Sequence, residues 1–190
     1  MRVHGSARAK AIGWATETIE RTDVLYLDTE TTGLRNSDEL VDIAVIDNSG
    51  RILLNSLIKP RQSISRDATA IHGITNQMVL KAPAWSDIYP RFLDLMAGHH
   101  YVIVYNADFD QRLIRQTCFA CALTMPRVSW HCAMKKYAEF VGQPGSYGDY
   151  RWHKLGQAVS QLGVQLLPDH SALADARACR AVVEAMATVH

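Results

Sequence analysis

Residues 23–34, DVLYLDTETTGL, decide how the rest of the chain is read. Val24 to Leu27 are apolar without alternation, the pattern of a strand buried on both faces. The run ends on two carboxylates, Asp28 and Glu30, at a spacing of two. Side chains at i and i+2 leave a strand on one face, so both acids point to the same spot. Two like charges beside a buried strand repel and are costly to desolvate unless a cation or a shared proton compensates. Thr31, Thr32, Gly33 and Leu34 follow directly. They offer hydroxyls, a residue that permits close backbone approach, and an exposed apolar side chain.

Working outward, 39–47 (ELVDIAVID) and 51–58 (RILLNSLI) read as two further strands, joined at Asn48-Ser49-Gly50, which is strong hairpin punctuation. A mostly polar stretch runs from Pro60 through IHGIT (71–75). Helices are predicted over 86–97, 109–122, 131–141, 153–163 and 172–188, with a strand at 100–105 and a short apolar piece at 127–130. Residues 142–151 (GQPGSYGDYR) are a loop on composition. Residues 6–21 predict a helix packed on the rest, so the division is an N-terminal helical extension over 1–22 and a single domain over 23–190. This order says α/β: a mixed sheet with an antiparallel hairpin and helices on its faces.

Composition removes several classes of function. Of 190 residues, 48% are hydrophobic and 21% charged, which is ordinary globular usage. Lys plus Arg number 20 against 19 Asp plus Glu, so no global positive field draws in nucleic acid. Such a partner must be held by local charge or by metal ions. No apolar run reaches the ~18 residues a membrane span needs. The N-terminus has positive charge but no apolar core, unlike a signal peptide. Four unevenly spaced cysteines then read as reduced thiols in a cytoplasmic protein.

Three further motifs stand in order behind DTETTGL. AIHGIT occupies 70–75, YNADFD occupies 105–110 between a predicted strand and helix, and HSALAD occupies 170–175. Together they resemble the DEDDh, DnaQ-like 3′→5′ exonucleases, and the resemblance spans roughly 23–188. It implies a ribonuclease H-like α/β fold, a mixed sheet with an antiparallel three-strand portion and helices on both faces. It also implies that Asp28, Glu30, Asp110 and Asp175 hold two divalent ions, Mg²⁺ or Mn²⁺, with Asp28 bridging both. Asp108 is then the variable neighbour of Asp110 and reads as a helix cap. Tyr105 stands where histidine is common in the family.

The chemistry agrees with that implication. Phosphodiester hydrolysis needs an attacking hydroxide, charge stabilisation at phosphorus and a stabilised leaving oxygen, and hard oxygen ligands suit Mg²⁺ or Mn²⁺. His170 is the candidate general base, because an imidazole titrates near ~6.5. Five helical residues subtend about 140° net, so His170 and Asp175 do not share a helix face. His170 therefore lies in the loop after Pro168, with Ser171 as N-cap and Asp175 in the early turns. Thr31, Thr32, Gly33, Leu34, His72 and Asn106 are the candidate substrate contacts, Leu34 as a wedge against the terminal base. The cations Arg61, Arg66, Lys135, Lys136, Arg151 and Lys154 suit a single-stranded end. Trp130 and Trp152 read as core or loop anchors, and Cys118, Cys121, His131 and Cys132 as a poor zinc pattern.

The expected activity is metal-dependent 3′→5′ hydrolysis of single-stranded DNA or RNA from a free 3′ end, with a polymerase or repair protein as a further partner. The alternatives are a non-catalytic binding or polymerase-associated module on the same fold, which loss of a carboxylate would favour, and an endonuclease of the wider ribonuclease H-like fold.

Overall fold

A computed structural model describes residues 3–99, 101–146, 148–165 and 171–189. Its centre is β1 (Val24–Thr31). The strands β2 (Leu40–Asp47) and β3 (Ile52–Leu57) pair antiparallel on one side of it, and β4 (Tyr101–Val104) and β5 (Ser129–Cys132) pair parallel on the other. The sheet order is β3-β2-β1-β4-β5. The hairpin turns where expected: the Asp47 side chain accepts from the backbone N–H of Ser49 and Arg51, and Gly50 takes the left-handed φ of 84° that the turn requires.

The unbroken apolar run of β1 is explained by helices on both faces. Val24 and Tyr26 join a core with α1 (Val3–Glu20), α6 (Ala133–Val141), α7 (Leu155–Gln161) and α8 (Ala172–Thr188). Leu25 and Leu27 face α4 (Trp85–Gly98) and α5 (Ala107–Ala120). Ala11 and Ala15 of α1 are fully buried in the first of these cores, and the Arg8 guanidinium donates to Phe140 O at 2.7 Å. None of the described helices is long and apolar enough to cross a membrane.

The polar stretch after Pro60 is more structured than its composition suggests. It holds α2 (Arg66–His72) and α3 (Asn76–Val79), capped by the Ser65 and Thr75 hydroxyls. Both are too short to show a periodic apolar face, which is why the sequence reads as loop. The apolar piece at 127–130 is displaced by two residues into β5 and completes the parallel half of the sheet.

Strand lengths create the site. β4 pairs with β1 only as far as Tyr26 opposite Ile103, whereas β1 runs on to Thr31. The β1 edge at Asp28 and Thr29 therefore lacks a strand neighbour, and the first turn of α5 fills the gap. On the other edge a bulge between Glu30 and Thr31 shifts the β2 register, the kind of irregularity that re-aims side chains beside a site.

Candidate active site

The spacing argument for the first two acids holds in three dimensions. Asp28 and Glu30 continue the row of Val24 and Tyr26 on the α8 side of β1. Carboxylate oxygens of Asp28, Glu30 and Asp175 lie within 4.8 Å of one another. Asp175 arrives from the first turn of α8, whose N-cap is Ser171, with the Ser171 hydroxyl accepting from the Ala174 N–H. His170 immediately precedes that cap but lies outside the described residues.

Asp110 completes the group from the opposite core. It is buried in the first turn of α5, and its Oδ1 accepts from the Thr29 hydroxyl at 2.7 Å. Asp108 is not the cap of this helix. Asn106 holds the N-cap position without a side-chain bond, and Asp108 points outward to an ion pair with Lys135 at 2.6 Å. The composition argument failed because a cap is defined by backbone position, which lies two residues earlier.

A fifth carboxylate was missed. Asp42, buried on β2 directly opposite Glu30, accepts from the Ala172 N–H at 3.2 Å and so ties the start of α8 to the sheet. The signal was present as an acid inside the apolar run LVDIAVID. Strand alternation alone does not say that a helix end waits above it.

The electrostatics follow from crowding. Burial, and then repulsion from Asp175, Asp42 and Asp110, pushes the Glu30 carboxyl up to about 8. Burial lifts Asp110 to about 7, with the Thr29 hydroxyl pulling the other way. Asp28 is raised well above the carboxylate range by burial and by all four of its acidic neighbours. At neutral pH these raised values leave protons on the cluster that a divalent cation would displace. Three half-buried oxygen donors at this spacing fit a hard cation.

Glu30 also lines a cleft of about 500 Å³. Its apolar walls include Leu34, Ile71 and Phe109, and Leu34 is 71% exposed. The loop carrying Leu34 is held rigidly. Asp38 accepts from the Thr32 hydroxyl at 3.0 Å and from the Arg35 N–H at 2.5 Å, and Gln116 on α5 donates to the carbonyls of Arg35 and Asp38. A Cβ on Gly33 would stand 2.7 Å from Asp38 Oδ2, so glycine is needed there for space.

Several expected substrate contacts are engaged within the protein. Thr31 Oγ1 donates to Gly33 O, while the Thr32 N–H goes to Glu39 O and its hydroxyl to Asp38. His72 is buried, and its Nδ1 accepts from the Ile74 N–H, so Nε2 carries the proton and donates to Thr31 O at 3.1 Å. Burial holds its pKa below the usual histidine value, keeping it neutral. His72 thus lines the cleft while fixing the end of β1. Asn106 is exposed and outside the cleft lining. Two of the four cysteines are engaged elsewhere: the buried Cys118 receives the Trp85 indole N–H, and Cys132 donates to Tyr105 O.

Residues 25–183 match the model of a protein family described as Exonuclease. The chain belongs to this exonuclease family. Its motifs place it in the DEDDh, DnaQ-like 3′→5′ branch. The sequence is 44% identical over 172 residues to the uncharacterized exonuclease CP81 of Escherichia phage 186, covering 87% of this chain and 88% of that one. It is 30% identical over 162 residues to a PolC-type DNA polymerase III of Thermotoga petrophila, of which it spans 11%. The fold is similar to that of exonuclease X in complex with 5′-overhanging duplex DNA, at a TM-score of 0.64 and 29% identity, covering 87% of this chain and 92% of that one. The chain is therefore an exonuclease enzyme, and nucleic acid is its substrate class.

Proposed function

We propose that this exonuclease removes nucleotides from single-stranded 3′ ends of DNA or RNA by a mechanism assisted by two divalent ions, Mg²⁺ or Mn²⁺. The observation that carries this reading is the convergence of Asp28, Glu30 and Asp175 at a cleft of nucleotide size that Glu30 itself lines. Asp28, Glu30, Asp110 and Asp175 would hold the ions. When bound, such ions would supply activation of the attacking water and compensation of charge at the scissile phosphate. The terminal nucleotide enters the cleft with its base against Leu34, Ile71 and Phe109. His72 and Asp38 contribute by fixing the backbone that forms the walls.

His170 accepts the proton from the attacking water. General bases typically contribute ~10²–10⁴ in rate. His170→Ala is accordingly expected to bind metal normally and turn over slowly, and activity within about threefold of the unsubstituted protein would remove His170 from the mechanism. Residues 23–190 act as one catalytic unit, with 1–22 as a helical extension packed on it. The PolC-type match favours a second reading, work beside a polymerase.

The deciding assay uses single-stranded DNA and RNA of one sequence, labelled at either end. Mononucleotides released from the 3′ end with Mg²⁺ or Mn²⁺, and nothing in excess chelator, are expected. Cutting that persists in chelator, or internal cutting, refutes the proposal.

A further inference from the structure

Trp152 reads from the sequence as a core or loop anchor, and at 55% exposure it does not belong to the core. Trp130, by contrast, packs against the α4/α5 core. A large aromatic held in water needs a reason when the backbone around it is fixed. Here the fixing is extensive. The stems of the 142–151 loop form a narrow hairpin, with Gly145 N donating to Asp149 O at 2.8 Å and Arg151 N to Gln143 O at 2.9 Å. One residue beyond Trp152, the carbonyl of His153 accepts from the Tyr105 hydroxyl at 2.8 Å. The buried His153 ring meets Tyr137 edge-on.

Tyr105 locates this strip. It follows β4 directly and belongs, with Tyr26 and Ile103, to the core under α8. Asp28 and Glu30 point to that same side from β1, beyond the last β1–β4 pair at Tyr26 and Ile103. Residues 151–154 thus sit at the same sheet edge and on the same face as the carboxylates. The cleft with Leu34 begins at Glu30 and is walled on one side by Phe109 of α5. Arg151 and Lys154 stand on either side of Trp152 in the sequence, are exposed, and have no ion pair among the described residues.

We propose that Trp152, Arg151 and Lys154 form a binding strip for the single-stranded segment upstream of the 3′-terminal nucleotide. The indole stacks on a base, and the two cations meet the phosphates on either side. An exposed aromatic between cations is the arrangement that holds single strands without reading sequence. A strand whose terminal nucleotide fills the cleft has its last phosphodiester at the carboxylates and leaves from there, and the Tyr105–His153 bond holds 151–154 at that same end of the sheet. The proposal rests on the exonuclease reading given above.

The test compares a single-stranded DNA oligonucleotide with the p-nitrophenyl ester of thymidine 5′-monophosphate, which occupies the terminal position alone. Trp152→Ala is expected to raise KM for the oligonucleotide about fivefold to a hundredfold. It should leave kcat and the hydrolysis of the small ester within about twofold. Trp152→Phe keeps a stacking face and recovers most of the loss. Arg151→Ala with Lys154→Ala should lower the magnitude of the slope of log affinity against log salt by about 1.4, two phosphate contacts on a single strand. Trp152→Ala with an unchanged oligonucleotide KM overturns the proposal. So does a parallel loss on both substrates, which would make Trp152 part of the scaffold. Ester hydrolysis that persists in every variant keeps the exonuclease reading intact whichever way the oligonucleotide result falls.

Discussion

The carboxylate cluster makes the stability of the metal-free protein fall as pH rises, and metal reverses this. Glu30 is lifted from 4.5 to about 8 and Asp110 from 3.8 to about 7, with Asp28 raised alongside them. In the unfolded chain all three titrate near ~4. Between about pH 4 and pH 8 the folded state therefore binds more protons than the unfolded state, and unfolding free energy declines across that window. The stabilising contribution is complete below the unfolded values and lost once pH has risen through the folded ones. At ~1.36 kcal/mol per decade, Glu30 alone corresponds to about 5 kcal/mol. The same repulsions enter more than one acid, so the cluster as a whole is of that order rather than the sum. For a chain of this size that amounts to a fall in Tm of about 10–20 °C. Melting curves in chelator from pH 5 to 9 measure it, with Glu30→Gln as the variant in which much of the slope disappears. Excess Mn²⁺ should flatten the curve, and the gap between loaded and metal-free Tm should widen with pH. Calorimetry in buffers of different ionisation heat should show about one to three protons released on Mn²⁺ binding at pH 6.5, and nearly none at pH 9. A metal-free stability that is flat or rising from pH 5 to 8, with no proton release, refutes the reasoning.

Three substitutions probe the supporting geometry. Asp42→Ala orphans the Ala172 N–H at the start of α8, at a cost of about 1–3 kcal/mol, and should weaken Mn²⁺ binding more than about tenfold, whereas Asp42→Asn keeps an acceptor and stays close to the original affinity in a titration. Gly33→Ala drives a Cβ against an Asp38 carboxylate already tied to Thr32 and Arg35, so melting should show a loss of about 1–3 kcal/mol and kinetics a raised KM as Leu34 is displaced. Asp110→Ala should lower the rate at least about a hundredfold, while Asp108→Ala forfeits only an exposed ion pair, under about 1 kcal/mol, with near-normal activity. A dead Asp108 variant beside an active Asp110 variant would refute the assignment of the second motif.

What the sequence alone determined is local and periodic. Period-two geometry put Asp28 and Glu30 on one face, an apolar run without alternation marked β1 as covered on both sides, and the mismatch between five residues and a helical turn put Ser171 at the cap with Asp175 beyond it. Asn48-Ser49-Gly50 set the hairpin and hence the antiparallel half of the sheet. These features depend on backbone geometry within a few residues, which the chain carries in its spelling. The contacts that finish the site join residues far apart in sequence. Asp110 reaches the cluster because β4 stops short of the end of β1, and Asp42 matters because α8 starts above it. His72 and Thr32, legible as substrate contacts, turn out to be engaged by Thr31, Ile74, Asp38 and Glu39. Trp152 reads as a core or loop anchor, and only the fold shows it exposed. Which hydrogen-bonding groups remain open to a ligand depends on the partners that folding brings to them, and only the tertiary structure decides that.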